Sequence, residues 1–383
     1  MTQLKQQKRI LLAMGSWYID RVHRGVAEYA GKNNWHLTNL FGSDPKLIQQ
    51  RDCDGIIAVL AKDDSLSEAI IRQKKPTVDL SIIRQHLKMP HLTGNNIDMG
   101  HEAAHHFMDR GFRNYLWYSE TNHATAQLRL SGFMSKLQNN GFDCTPLITE
   151  NAFPSHMPTW NTLKQWILEA IQKQGLPCAV YAYNDTQAVN LIDACISGGV
   201  RVPDEVAVLG TDNHPLICPS AAVPLSSINH DLEELGRRAA AELARIIDGA
   251  QQEKCIIEIP HKGITVRQST DVFAINDSHV VAALHFIYEN FKRSINVQDI
   301  VNISELSRRP LEQRFREHLN LSILGKLNQL RIQQACRLLR ESTLSIADIA
   351  AFSGFNSPEY LHRIFHKQMG ITPRKYRIKE HMI

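Results

Sequence analysis

Four short polar segments carry side chains suited to holding a small polyhydroxylated molecule: Ser16–Arg21, Glu120–Arg129, Asn184-Asp185 and Thr211–Asn213. Between them they supply Asp20, Arg21, Arg129, Asn184, Asp185 and Asp212, with Trp17 and Tyr18 as flat surfaces. Carboxylates and amides accept from neighbouring hydroxyls, arginine donates, and an aromatic face covers the C–H side of a ring. That inventory suits a small polyol. The same residues have plainer uses: Asn184 and Asp212 could cap helices, Asp20 could be the N-cap of a helix at Asp20–Lys32, and aromatic rings commonly serve packing.

A second constellation points elsewhere. His101-Glu102-Ala-Ala-His105 has the spacing that puts two imidazoles on one helical face for zinc, with the glutamate as general base, so a zinc metallopeptidase is an alternative reading. The chain has 18 histidines, which makes a chance match easy. The surrounding Gly100–Arg110 reads as an ordinary amphipathic helix with Ala103, Ala104, Phe107 and Met108 inward. No GxGxxG, phosphate-cradling loop or GxSxG elbow is present. Paired acids in a sugar cleft could also serve a glycosidase, but the expectation is no catalysis, no metal and no cofactor. The seven cysteines are scattered and never spaced as CxxC, so they read as small buried hydrophobes in a reducing compartment. The apolar run Ile10–Met14 is too short for a signal peptide, and no stretch reaches the 18 or so apolar residues of a membrane span. The expected location is the cytoplasm.

The elements that must position these residues alternate. Short apolar runs at Arg9–Gly15, His36–Phe41, Gly55–Leu60, Thr77–Ser81, Tyr115–Ser119, Ala179–Tyr183 and Val206–Gly210 predict strands. Asp20–Lys32, Gly100–Arg110, Ala126–Asn139, Pro158–Lys173, Thr186–Gly198 and Leu232–Asp248 predict helices. Strand alternating with helix implies parallel βαβ units and a doubly wound α/β body with room for two lobes. Ligands of such sheets sit beyond the carboxyl ends of the strands, where the four polar segments fall. At 383 residues, with 43% hydrophobic and 21% charged, the chain holds two or three folded domains. Periodicity lapses at 268–277, a predicted linker, and only helical patterns follow. From Ser278 to the end there are 16 basic and 9 acidic residues, a net +7, while the remainder is net −3. A basic terminal segment behind a mildly acidic body suggests a nucleic-acid-binding module.

That segment contains a duplication. Val297-Gln-Asp-Ile300 leads to Leu306-Ser307, Leu311 and Phe315; Ile346-Ala-Asp-Ile349-Ala350 leads to Gly354-Phe355, Leu361 and Phe365. Each copy reads as a short helix, a turn and a second helix. The first recognition helix, Ser307–Leu319, turns Leu311, Phe315 and Leu319 inward and offers Arg308, Arg309, Gln313 and Arg316 to DNA. The second, Ser357–Met369, turns Leu361, Ile364 and Phe365 inward and offers Ser357, Glu359, His362, Arg363 and Lys367. Cations early in such a helix reach guanine edges, and later ones contact phosphates.

The run from Ser345 to Gly370, with Gly354-Phe355-Asn-Ser-Pro-Glu-Tyr in its middle and Thr372-Pro373-Arg-Lys-Tyr-Arg377 closing it, resembles the AraC/XylS transcription activators over about 100 residues. The resemblance implies two helix-turn-helix units on a connecting helix, here Ile323–Glu341. Glu305 departs from the glycine usual in the first turn, and Pro310 falls in the first turn of a recognition helix. The body, through Asn184-Asp-Thr-Gln-Ala-Val, Gly198-Gly-Val-Arg-Val-Pro203, Val206–Asn213, Pro224–Asn229 and Gly236-Arg-Arg-Ala, resembles the sensor domain of LacI/GalR repressors. That resemblance implies a two-lobed, periplasmic-binding-protein-like (type I) sugar receptor, with Arg129, Asn184 and Asp212 holding sugar hydroxyls. The first strand begins at Arg9, so the N-terminal DNA-binding helices of those repressors are not expected.

The pairing implies a sensor at 1–267, a linker at 268–277 and a DNA-binding domain at 278–383, as in bacterial xylose-operon activators. The function expected is a sugar-responsive transcription factor activating a pentose (xylose-like) catabolic operon, with a repressor or a sensor of another monosaccharide as the alternative. Its partners would be a double-stranded DNA operator, a second copy of the chain paired through the sensors, and RNA polymerase.

Overall fold

Runs such as Ile10-Leu-Leu-Ala13 and Val206-Ala-Val-Leu209 have no polar face, and burial on both sides of a parallel sheet is their natural place. The computed structural model, which describes residues 7–15, 18–40, 46, 48, 50–60 and 65–381, buries both runs completely or nearly so. The chain divides into two units, residues 1–106 with 113–271 and residues 107–112 with 272–383.

The first unit holds two six-stranded sheets. One contains β1 (Lys8–Ala13), β2 (Trp35–Asn39), β3 (Gly55–Ala58), β4 (Thr77–Asp79), β5 (Pro90–Gly94) and β11 (Cys255–Ile259), in the order β11-β5-β4-β3-β1-β2 and parallel throughout. The other contains β6 (Asn114–Ser119), β7 (Cys144–Ile148), β8 (Cys178–Ala182), β9 (Val206–Thr211), β10 (Ser226–Ile228) and β12 (Ile264–Thr265), in the order β12-β10-β9-β8-β6-β7, antiparallel only between β10 and β12. Each sheet with its helices is one lobe. The seven strands expected from the sequence are present with ends shifted by a residue or two, and the two-lobed body is as expected.

Helices α1 (Asp20–Lys32), α2 (Ser65–Arg72), α3 (Asn96–Met108), α4 (Ala124–Gln138), α5 (Trp160–Gln174), α6 (Asp185–Ser197) and α7 (Leu232–Ile247) cover the sheets. Two helix contacts are close enough to require glycine. A Cβ on Gly100 of α3 would meet the Arg129 carbonyl of α4, and one on Gly132 of α4 would meet the Ile97 carbonyl of α3. Gly25 of α1 and Gly236 of α7 face each other's backbones in the same way. The chain passes between the lobes three times, at Gly94–Asn96, Ile228–Leu232 and Ile259–Ile264.

The second unit carries α8 (Ser278–Asn290), α9 (Val297–Ile303), α10 (Arg308–Leu319), α11 (Ile323–Glu341), α12 (Ile346–Phe352), α13 (Pro358–Met369) and α14 (Pro373–His381). The first half of α11 packs Ile323, Leu327 and Leu330 with Leu284, Ile300, Leu311 and Phe315. Its second half packs Ile332, Ala335 and Leu339 with Ile349, Leu361, Phe365 and Tyr376. One continuous helix therefore supports both repeats. The 268–277 stretch is divided: Gln268–Thr270 is a 3₁₀ turn whose Ser269 and Thr270 are buried in the first unit, and the second unit resumes at Val272.

Candidate functional site

Arg129 lies one and a half turns into α4, beside Gly132, and the tight α3–α4 contact brings it to the first residue of α3. Its Nε donates to Asn96 Oδ1 at 2.8 Å and its Nη1 to the Tyr183 carbonyl at 2.6 Å, with the guanidinium 4.7 Å over the Tyr183 ring. Although the arginine is 4% exposed, these contacts fix it without consuming all five N–H donors. Tyr183 is anchored in turn, its hydroxyl meeting Thr125 Oγ1 at 3.1 Å and its ring meeting His123 edge-on.

In the same lobe, Asp212 directly follows β9 at φ +103°, a conformation that L side chains rarely adopt and that the fold must enforce. Its N–H donates to the Ile228 carbonyl and its own carbonyl accepts from Arg21 Nη2 of α1, in the other lobe. One carboxylate oxygen lies 3.2 Å from His230 Nδ1, and the side chain is 31% exposed. Burial alone would raise the Asp212 pKa, but the His230 hydrogen bond and the Arg129 and Arg21 cations outweigh it and hold the carboxylate below its ordinary range. Burial pulls His230 down, so it is neutral near pH 7 and donates from Nδ1 to an acceptor-only group. Its Nε2 is buried against Gly94, where a Cβ would collide with it. The arrangement offers an ionised acceptor and a fixed cation in the same lobe, close enough to interact electrostatically.

Asp185 is a different carboxylate. It is 2% exposed; Ser227 Oγ donates to one oxygen at 2.5 Å and the His214 N–H to the other at 2.7 Å. Burial, with the nearby Asp212 charge, pushes its pKa up to about 7. Its two acceptor oxygens are used in tying the starts of α6 and of the loop after β9 together. Asn184 is the N-cap of α6, accepting from the Gln187 N–H at 2.9 Å, so the capping role weighed from the sequence is the one its Oδ1 performs. The expected cap at Asp20 is not formed: Ile19 occupies the cap position of α1, and Asp20 is exposed in the first turn. Tyr18 is 41% exposed and its hydroxyl meets His23 Nδ1 at 2.8 Å. Trp17 lies outside the described residues.

The structure thus brings Arg21, Arg129 and Asp212 together and leaves Asp20 and Tyr18 toward solvent. It adds Asn96, Tyr183 and His230, which sequence reasoning missed. Asn96 and His230 sit on interlobe crossings, and a polar residue within or beside an apolar strand end was their only signal. His101 meets Ser135 Oγ of α4 at 3.2 Å, and among the described residues no group of three or more His, Cys, Asp or Glu side chains is gathered as a metal site.

In the second unit, α9 has a full capping box from Asn296 and Asp299, α12 is capped by Ser345 and α13 by Ser357, so both first and second helices of the repeats begin where the sequence says. Leu311, Phe315, Leu361 and Phe365 are buried as expected, while Leu319 and Ile364 are half-buried. Arg308, Arg309, Gln313 and Arg316 on α10, and Glu359, His362, Arg363 and Lys367 on α13, are exposed. Ser357 spends its hydroxyl on the Tyr360 N–H. Arg363 stacks 5.0 Å from the Tyr360 ring, whose hydroxyl meets Asn328 of α11 at 3.2 Å, so this cation is held out in a defined direction. Glu305, in place of the glycine of the family pattern, adopts φ +57°, and the equivalent turn of the second repeat uses Gly354 at φ +78°. The turn geometry survives the departure at the cost of local strain.

Residues 104–270 match the periplasmic binding protein-like domain, and residues 300–379 match the helix-turn-helix domain. A periplasmic-binding-protein-like sensor followed by an AraC-type helix-turn-helix domain defines the class: a ligand-responsive, DNA-binding transcription regulator. The chain is similar over nearly its whole length to the xylose operon regulatory protein of Haemophilus influenzae, 25% identical with 99% of this chain and 100% of that one covered. It is likewise similar to the protein of that name from Escherichia coli K12, 24% identical with 94% of each chain covered. Among solved structures, the xylose-binding transcription activator xylR shares the fold over 97% of this chain and 98% of that one, with a TM-score of 0.61 at 22% identity.

Proposed function

We propose that this regulator responds to a pentose of the xylose kind and activates transcription of a catabolic operon for it. The observation that carries the reading is the charged pair in the first unit: Arg129, fixed by Asn96 and Tyr183, and Asp212, held ionised by His230 and the two arginines. Neutral sugars present hydroxyls that both donate and accept, so a neighbouring cation and carboxylate satisfy both directions. The names of the full-length relatives support a xylose-like ligand over other polyols. The ligand-binding role falls to Arg21, Arg129 and Asp212. DNA residues are Arg308, Arg309, Gln313 and Arg316 of α10, and Ser357, Glu359, His362, Arg363 and Lys367 of the α13 segment.

The cleft binds rather than turns over. Glycoside hydrolysis needs two working carboxyl groups, and Asp185 has both oxygens occupied by Ser227 and His214. The protein acts in the cytoplasm as a dimer on operator DNA, where it recruits RNA polymerase, and no helix of the described residues is long and apolar enough to cross a membrane. The ligand shifts the balance of lobe geometries only by as much as it prefers one of them. The deciding experiment is a melting-temperature screen with D-xylose, L-arabinose, D-ribose, D-glucose and D-galactose. A rise with D-xylose at the lowest concentration is expected; a larger response to a hexose, or none to any sugar, refutes the assignment.

A further inference from the structure

Lys326 is 0% exposed, which is rare for a lysine outside a paired site. It stands on α11 among Ile323, Leu327 and Leu330, in the core that supports the first helix-turn-helix repeat. Its counter-charge is Asp109, with Nζ 3.0 Å from Oδ2. Asp109 belongs to residues 107–112, the one part of the second unit that comes from the middle of the chain. The segment is built into that unit: Gln329 Nε2 also donates to Asp109 at 3.2 Å, the Ala274 N–H donates to the Arg110 carbonyl at 2.8 Å, and Lys326 and Arg110 lie 5.3 and 5.1 Å from the Tyr288 ring. Burial pulls the lysine toward neutrality, but the Asp109 charge and Tyr288 outweigh it and keep the ammonium protonated.

Asp109 directly follows α3. That helix starts at Asn96, whose Oδ1 receives Arg129 Nε in the ligand cleft, and runs unbroken to Met108. Thirteen helical residues span roughly 20 Å and bend little. A buried ammonium that loses its counter-charge is strongly destabilised, so the far end of α3 has little freedom to move without disturbing α11.

We propose that α3 is the signalling rod of this regulator, with Asn96 as its input at the ligand cleft and the Asp109–Lys326 pair as its output into the DNA-binding helices. The proposal rests on the ligand-responsive reading above and adds the route. It makes Asp109, Lys326 and Asn96 positioning residues rather than contacts to sugar or DNA.

The test uses hydrogen exchange by mass spectrometry on the full chain, reading 278–290 and 323–341. Without ligand, Asp109→Asn should speed exchange in both segments roughly 100- to 1,000-fold while the sheets of the first unit stay unchanged. The apolar pair Asp109→Leu with Lys326→Met should restore protection, because no charge is then left uncompensated. Asn96→Ala, at the other end of the helix, should alter exchange in 323–341 in the native background and have no effect there in the apolar-pair background. Unaltered exchange in Asp109→Asn, or an Asn96→Ala effect that is the same in both backgrounds, overturns the proposal. Saturating D-xylose gives a parallel arm: it should change exchange in 323–341 of the native chain and fail to do so in the apolar-pair variant that it still stabilises. If D-xylose moves no melting temperature, the sugar assignment fails by itself, and the Asn96→Ala comparison decides the route.

Discussion

Asp212→Asn isolates the charge of the proposed ligand acceptor. Asparagine has the same shape, and among L residues it and aspartate best tolerate positive φ, so the backbone at φ +103° is retained. The Arg21 contact is to the Asp212 backbone carbonyl and survives. One carboxylate oxygen is engaged by His230, which leaves the other as an ionised acceptor for a ring hydroxyl. Losing the charge from that bond costs about 1.5–3 kcal/mol, and D-xylose affinity should fall roughly ten- to hundredfold by isothermal titration calorimetry. A second consequence has a definite sign. Because the native carboxylate is held below its unfolded value, it contributes stability that is present above pH ~4 and is lost as pH falls through the lower folded value. The variant should lack that acid-range loss and be less stable than the native protein at pH 7, since Arg129 and Arg21 then lose the charge that both interact with. Binding within twofold of native, with the acid limb of the stability curve unaltered, would refute both the placement of the site and its electrostatics.

Other perturbations read other parts of the molecule. Asp185, pushed up to about 7, contributes stability that is complete below pH ~4 and lost as pH rises through 7, so the melting temperature of Asp185→Asn relative to native should improve steadily from pH 4.5 to 7.5; a constant difference would contradict its burial. Gly132→Val drives a side chain into the Ile97 carbonyl and should cost at least ~2 kcal/mol in urea unfolding, with Arg129 displaced and D-xylose binding lost; a native-like midpoint would show that α3 and α4 do not touch. On DNA selected from a random pool, Arg363→Ala should weaken binding by about 1–3 kcal/mol and relax preference at one base pair, whereas Lys367→Ala should weaken all sequences alike and reduce the salt slope by about one. Identical effects of the two substitutions would remove the distinction drawn from the Arg363–Tyr360 stack.

What the sequence made legible follows the range of the interactions concerned. The central strands read clearly because a doubly buried strand such as Ala179–Tyr183 must be apolar at every position. The helix-turn-helix repeats read equally well because their signals are local: Ser345 and Ser357 cap helices that begin within a residue of them, and the inward leucines and phenylalanines recur within one helix. Five strands escaped notice, and each breaks the pattern for a physical reason. β5 carries His91 and Thr93 in its buried interior, tolerated because His91 Nδ1 meets the buried Asp79 carboxylate at 3.0 Å. β7 is an edge strand, where its proline is tolerated, β11 is an edge strand with alternating exposure, and β10 and β12 have three and two residues.

The site divides along the same line. Polar residues after strands announced themselves, and that signal singled out Arg129, which the structure places inside α4, and Asp212, but it could not separate a side chain free to meet a ligand from one consumed locally. Asn184 and Asp185 adjoin in sequence and share the polar character of a ligand, yet the first is spent on the Gln187 N–H and the second on Ser227 and His214. Ser227 lies 42 residues from Asp185, and no local pattern reveals it. Asn96 and His230 were hidden for the complementary reason, since what makes them part of the site is a partner 33 and 18 residues away across an interlobe crossing. Lys326 is the extreme case: its partner is more than two hundred residues earlier, and a single lysine within an amphipathic helix reads as a solvated face until the fold closes around it. Chemistry made by two distant segments is also chemistry that responds when those segments move, which is why the residues hardest to find in this sequence are the ones assigned here to sensing and transmission.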